Sequence, residues 1–106
     1  MNSAIRAMLQ EFRSGVTAVY GSRLKGVFLF GSQARGDSTS ASDVDVLIVL
    51  SGAVAPGEEI RRTGALTSSL SLKYQSVLSR TFVAQDRYES EQSPLLINVR
   101  QEGIAV

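Results

Sequence analysis

The sequence predicts an α/β (α+β) domain in which a small mixed β-sheet carries packed helices, in the order α-β-(turn)-β-α-β-α. Three observations carry that expectation. An amphipathic stripe opens the chain, short apolar runs follow it, and those runs alternate with further helical segments. Such alternation favours layered α/β packing over a helical bundle. No repeat or low-complexity tract divides the chain, so residues 1–106 read as one domain.

Each element has a local reason. Ile5, Met8, Leu9, Phe12, Val16, Val19 and Tyr20 recur at helical spacing, with Asn2 or Ser3 available as N-cap and Gly21-Ser22 marking the end. Gly15 lies inside this stretch and weakens it by about 1 kcal/mol relative to Ala. Val27 to Phe30 is too apolar for a half-exposed strand and is expected in the middle of the sheet. A short helical turn begins after Ser32 and finishes near Arg35-Gly36, where a positive φ is needed. The small polar run from Asp37 to Ser42 reads as a surface loop. Asp43 to Leu50 is the second strand. Pro56 can open the next helix, Glu58 and Glu59 suit its first turn through the helix dipole, and the helix runs to about Leu72. The third strand covers about Tyr74 to Val83, with Gln75, Val77, Ser79, Thr81 and Val83 on one face. Asp86 to Glu91 is a short charged turn or helix. Ser93 caps and Pro94 opens a last helix, with Leu95, Leu96 and Val99 inward and Gly103 as its stop.

Composition narrows the function. Eleven basic and ten acidic residues leave a net charge of +1, which does not suit a protein that holds a duplex by neutralising many phosphates. Small nucleotides or a protein substrate fit that balance better than nucleic acid. Cysteine and histidine are both absent, which removes disulfides, thiolate metal sites, zinc–histidine motifs and the commonest general base. No signal peptide is visible, and the longest apolar run, Val46 to Leu50, is far short of the roughly 20 residues of a membrane helix. The expected location is the cytoplasm.

The chemistry lies between Phe28 and Leu50. An apolar run ends in Gly31-Ser32, a short polar segment closes on Gly36, and Ser42-Asp43-Val44-Asp45 then leads into a second apolar run. Residues two apart on a strand share a face, so Asp43 and Asp45 project together. Paired carboxylates repel unless a cation compensates them. Mg²⁺ takes one or two carboxylates together with substrate phosphates. Gly31 lets the backbone turn close to a ligand, and Ser32 with the following N–H groups can meet a phosphate. Alone, Gly-Ser is a common loop pair. It is not a Walker A loop, since no Gly-Lys-Ser/Thr follows, and the three-glycine dinucleotide spacing is missing. The aspartates arriving on the next strand give it weight, because charged residues are depleted in strands. Together the two halves suggest metal-assisted nucleotidyl transfer.

Gly31-Ser32-x-Ala34-Arg35-Gly36 with Ser42-Asp43-x-Asp45 resembles the signature of the DNA polymerase beta nucleotidyltransferase superfamily. The short chain points to its minimal nucleotidyltransferase branch, often encoded beside HEPN-domain partners. The segment from Ser93 to Gly103 is similar to the last helix of many such proteins. The resemblance implies a palm-like core that transfers AMP from ATP, or another nucleoside triphosphate, to an acceptor. It makes Asp43 and Asp45 the catalytic pair that holds Mg²⁺. Gly31, Ser32, Arg35, Gly36 and Ser42 would be the nucleotide-binding set. For Arg35, a structural bridge to an aspartate and a role in neutralising phosphate both stay open.

The resemblance also implies a third carboxylate, on the strand after the intervening helix, as the base for the attacking hydroxyl. From Lys73 to Thr81 there is no acid, and Gln75 takes the matching position. Glutamine neither accepts a proton at neutral pH nor neutralises a metal. Three readings stay open: a slow transferase, one that borrows an acid from another subunit, or a degenerate module that binds nucleotide or a protein. The resemblance implies a HEPN-type toxin as partner, modified with AMP or masked by direct binding in the manner of an antitoxin. Oligomeric state stays open. Arg61, Arg62, Arg80 and Arg100 could each touch nucleotide or partner, while Tyr20, Tyr74 and Tyr88 read as core or rim aromatics.

Overall fold

A computed structural model describes residues 2–37 and 43–106. The first helix, α1, spans Ser3–Tyr20, and the Asn2 side chain accepts the Ile5 N–H at 2.8 Å as its cap. Ile5, Met8, Leu9, Phe12, Val16 and Tyr20 of the expected stripe are buried. Val19 is not; it is 44% exposed on the flank of the helix. One 3-10 turn, Gly21–Arg23, leads into β1, Leu24–Phe30. A single-turn helix, α2, covers Ser32–Arg35, and β2 follows at Val44–Leu50.

The long helix expected from Pro56 is two helices. α3 covers Pro56–Arg62 and α4 covers Gly64–Tyr74, with Thr63 between them. At the junction, just before Gly64, Arg80 Nη1 donates to the Ile60 carbonyl and to Thr63 Oγ1. β3 then spans Leu78–Ala84. α5 is Gln85–Ser90, and α6 is Pro94–Glu102, capped by the Ser93 hydroxyl on the Leu96 N–H. Leu96 and Val99 of α6 are buried, whereas Leu95, expected inward, is 39% exposed. A two-residue strand, β4 at Ile104–Ala105, closes the list and has no counterpart in the expected order.

The sheet is mixed, in the order β3-β2-β1-β4. β1 runs antiparallel to both β2 and β4, while β2 and β3 are parallel through the α3–α4 crossover. β1 is therefore internal, as its apolar sequence requires. The alternation of β2 splits its side chains between two cores. Val44, Val46, Ile48 and Leu50 pack with α1, α4 and Phe82, while Leu47 and Val49 pack with Val83, Leu96 and Val99 on the other face. Both faces are covered, which is why β2 is apolar at every position except Asp45. Among the described residues no helix is long and apolar enough to cross a membrane.

Candidate active site

The C-terminal end of β1 and the N-terminal ends of β2 and β3 lie at the same edge of the sheet, and the motif residues gather there. Gly31 adopts φ +75°, which turns the chain out of β1, and a Cβ at that position would lie 2.5 Å from Asp45 Oδ2. Only glycine fits, for both reasons. Ser32 starts α2, whose turn closes when the Ala34 and Arg35 N–H groups donate to the Gly31 carbonyl at 3.1 Å. Gly36 ends the turn in the left-handed region at φ +79°, as expected from the sequence. Ser42, expected at the nucleotide site, lies outside the described residues.

Asp45 pairs with Phe30 across the antiparallel ladder and is half-buried; Asp43 sits one pleat earlier, exposed just before β2. The Asp45 carboxyl is pushed above the ordinary aspartate range by burial first and by the neighbouring Asp43 charge second, with Arg35 pulling in the opposite direction. Arg35 therefore acts on Asp45 through space while its Nε donates to Asp37 Oδ2 at 3.2 Å. The aspartate that Arg35 bonds is Asp37. Arg35 offsets the negative charge of the pair only in part, and the donor set is all oxygen in a chain without Cys or His. That fits a hard divalent cation. Among the described residues no group of three or more acidic side chains comes together for a metal, so further ligands would come from phosphate or water.

The other side of the pair corrects the sequence reading. Gln75 is not on β3; it is the C-cap of α4, held at φ +52° with its N–H on the Ser71 carbonyl. The parallel register sets Ser79 beside Asp45, and the Val77 carbonyl accepts the Val44 N–H at 2.8 Å. Ser79 thus occupies the strand position nearest Asp45. The conclusion that this strand carries no acid is unchanged.

The remaining candidates serve the frame. Arg80 pairs in register with Val46, on the sheet face away from Asp45. Arg100 donates to the Tyr88 and Glu91 carbonyls and ties α5 to α6. Arg61 and Arg62 pair with Glu58 and Glu59. Tyr88 stacks on Phe28 with ring centroids 5.1 Å apart, and the Tyr74 hydroxyl bonds Glu11. Glu59, assigned from sequence to a helix dipole, is in fact 2% exposed. It accepts the Tyr20 hydroxyl at 2.9 Å and the Ala55 N–H at 3.2 Å. Burial and this carboxylate push the Tyr20 hydroxyl up to about 12. The long-range partner that buries Glu59 rather than Glu58 is Tyr20, at the far end of α1.

A family model described as a nucleotidyltransferase domain matches residues 5–95. The chain is 36% identical over 72 residues to a candidate protein adenylyltransferase of Methanocaldococcus jannaschii, covering 68% of this chain and 72% of that protein. A second such protein from the same organism is 49% identical over 41 residues, 39% of this chain and 41% of its own length. Among solved structures, a candidate nucleotidyltransferase from Sulfolobus solfataricus superposes with a TM-score of 0.59 at 17% identity, covering 99% of this chain and 86% of that one. A toxin–antitoxin structure with AMP-PNP gives 0.58 at 18% identity, covering 89% and 68%. At such identities the two structures show a shared fold.

Proposed function

We propose, from the premise that this chain belongs to the nucleotidyltransferase domain family, that it binds ATP with Mg²⁺ at the Gly31–Asp45 corner and transfers AMP to a protein acceptor. The acceptor on this reading is a HEPN-type partner, with the chain in the place of an antitoxin. The observation that carries the reading is the contact of a glycine turn with an under-compensated aspartate. The turn leaves no room for a Cβ beside Asp45, and burial together with the Asp43 charge holds that carboxyl above the ordinary aspartate range. The similarity to candidate protein adenylyltransferases supports ATP and a protein as the two substrates.

In this mechanism Ser32 and the start of α2 meet the β- and γ-phosphates, and Asp43 and Asp45 hold the cation. When bound, Mg²⁺ supplies charge compensation for the triphosphate and the departing oxygen. Arg35 adds positive charge on the phosphate side. The acceptor oxygen forms a bond to the α-phosphorus, the bond from that phosphorus to the bridging oxygen breaks, and pyrophosphate leaves. The acceptor's proton passes to water or to a base that the acceptor brings, because Ser79 next to Asp45 cannot take it. Losing a positioned base costs about 10²- to 10⁴-fold in rate, so the solitary domain is slow.

Calorimetric titration with ATP, with and without Mg²⁺, tests the reading. Binding should depend on Mg²⁺ in the wild type and lose that dependence in Asp43→Ala, Asp45→Ala. Affinity indifferent to both would leave the pair as surface charges. The Ser79 position favours a second reading, a nucleotide- or protein-binding module that neutralises a partner without turnover. Ser79→Asp separates the two. A third carboxylate in register with Asp45 should raise label transfer from α-labelled ATP by tenfold or more, within the range lost with a base. A wild type that already labels its partner as fast as the variant would rule out the module reading.

A further inference from the structure

We infer that Ser79 is a second acceptor for AMP: the chain adenylylates its own β3 hydroxyl, and the adenylate left there closes the site. The inference rests on the reading above, in which the nucleotide phosphates lie at the Gly31–Ser32 corner. Three observations point to this hydroxyl. Ser79 pairs in parallel register with Asp45, so the two side chains leave the same face of strands about 4.8 Å apart. Ser79 is partly open to solvent, because the apolar cover from α6 begins one pleat further on, at Leu47 and Thr81. Among the described residues its hydroxyl has no hydrogen-bond partner, whereas those of Thr63, Thr67 and Ser76 are bonded to main-chain carbonyls. A small residue on an edge strand needs no function. A free hydroxyl in register with the candidate metal-holding aspartate has one available.

Topology sets the direction of attack. Sheet order puts β1, with Gly31 at its end, on one side of Asp45 and Ser79 of β3 on the other. In phosphoryl transfer the attacking and departing oxygens lie roughly in line through the phosphorus. With the departing phosphates on the β1 side, the attacking oxygen comes from the β3 side, where Ser79 stands. Ser79 Oγ forms the new bond to the α-phosphorus, and the bond from that phosphorus to the bridging oxygen breaks. Pyrophosphate leaves, and the hydroxyl proton passes to solvent. No further reactant is needed. A serine without a base is a slow nucleophile, but fixing it on a strand makes the step unimolecular and offsets part of that loss. The product is a phosphodiester beside Asp45, so a modified chain stops after one turnover.

The test incubates the full chain with Mg²⁺ and α-labelled ATP and digests it with trypsin, which releases Tyr74–Arg80. Fragment masses then place the adenylyl group, expected on Ser79. Ser79→Ala should lower incorporation by about tenfold or more. Ser79→Thr keeps a hydroxyl there and should retain it, and Thr81→Val, one pleat away, should leave it unchanged. A readout without turnover uses Ser79→Cys, which puts a unique thiol in a chain that has no cysteine. AMP-PNP with Mg²⁺, at about ten times its dissociation constant, should slow alkylation of that thiol by iodoacetamide about tenfold, in proportion to the free fraction. Three results would overturn the inference: label on another residue, label undiminished in Ser79→Ala, or alkylation as fast with AMP-PNP as without. Calorimetry keeps the two readings apart. ATP bound with Mg²⁺ but no adenylyl group on Ser79 sinks this inference alone, whereas failure to bind ATP sinks the nucleotide reading and this one with it.

Discussion

At Asp45 the sheet holds a carboxylate half out of water beside a second one, so ionisation there works against the fold. A carboxyl whose folded pKa is raised contributes stability while it is protonated, and that contribution is lost as pH rises through the folded value. Asp45→Asn should therefore stabilise the ligand-free protein at neutral pH by up to about 0.5 kcal/mol, the usual range for a substitution at a partly exposed site. Thermal melts between pH 3.5 and 7 will show the gain shrinking toward acid, where the wild-type carboxyl is itself neutral. Saturating Mg²⁺ and ATP should reverse the order of the two proteins. Much of this was legible in the sequence, because Gly31, Ser32, Asp43 and Asp45 lie within a few turns of chain and their spacing states the geometry. What Asp45 touches was not, since only the φ of Gly31 brings that backbone against the carboxylate.

At the scale of elements, the helices α1 and α4 meet where Gly15 faces Leu66. A Cβ on Gly15 would come within 2.5 Å of the Leu66 tips, so this glycine marks a close approach rather than a weak point in the helix. Gly15→Val should destabilise the protein by about 1–3 kcal/mol through overpacking. Leu66→Ala should recover part of that loss in the same background, a coupling that a double-mutant cycle in urea can measure. Sequence periodicity located α1 because all its burial lies on one stripe. It missed the junction at Thr63, where an arginine from β3 bonds the Ile60 carbonyl, and the stop at Gln75, where a glutamine takes the left-handed cap that glycine usually fills. With that cap moved, the third strand starts at Leu78 and Ser79, not Gln75, comes to lie beside Asp45.

For the molecule as a whole, the sheet divides into a strong part and a weak one. β1, β2 and β3 share ladders of six or seven residue pairs, whereas β4 meets β1 at only two, Phe28 with Ala105 and Leu29 with Ile104. Two residues carry no pattern that sequence could reveal; they become a strand because β1 has an open edge waiting. Their attachment draws on Val106, whose N–H donates to the Val27 carbonyl at 2.9 Å and whose own carbonyl accepts from Arg13 at 2.6 Å. A seam of this kind opens without the rest of the protein unfolding. Native-state hydrogen exchange should find the Val106 amide trading with solvent through local fraying, at a rate insensitive to low urea. The amides of Val46 and Ile48 should wait for global opening and follow the urea dependence of the whole fold. Arg13→Ala would widen that gap by loosening the seam alone. The last strand would thus behave as a clasp that comes undone many times over during one lifetime of the folded core.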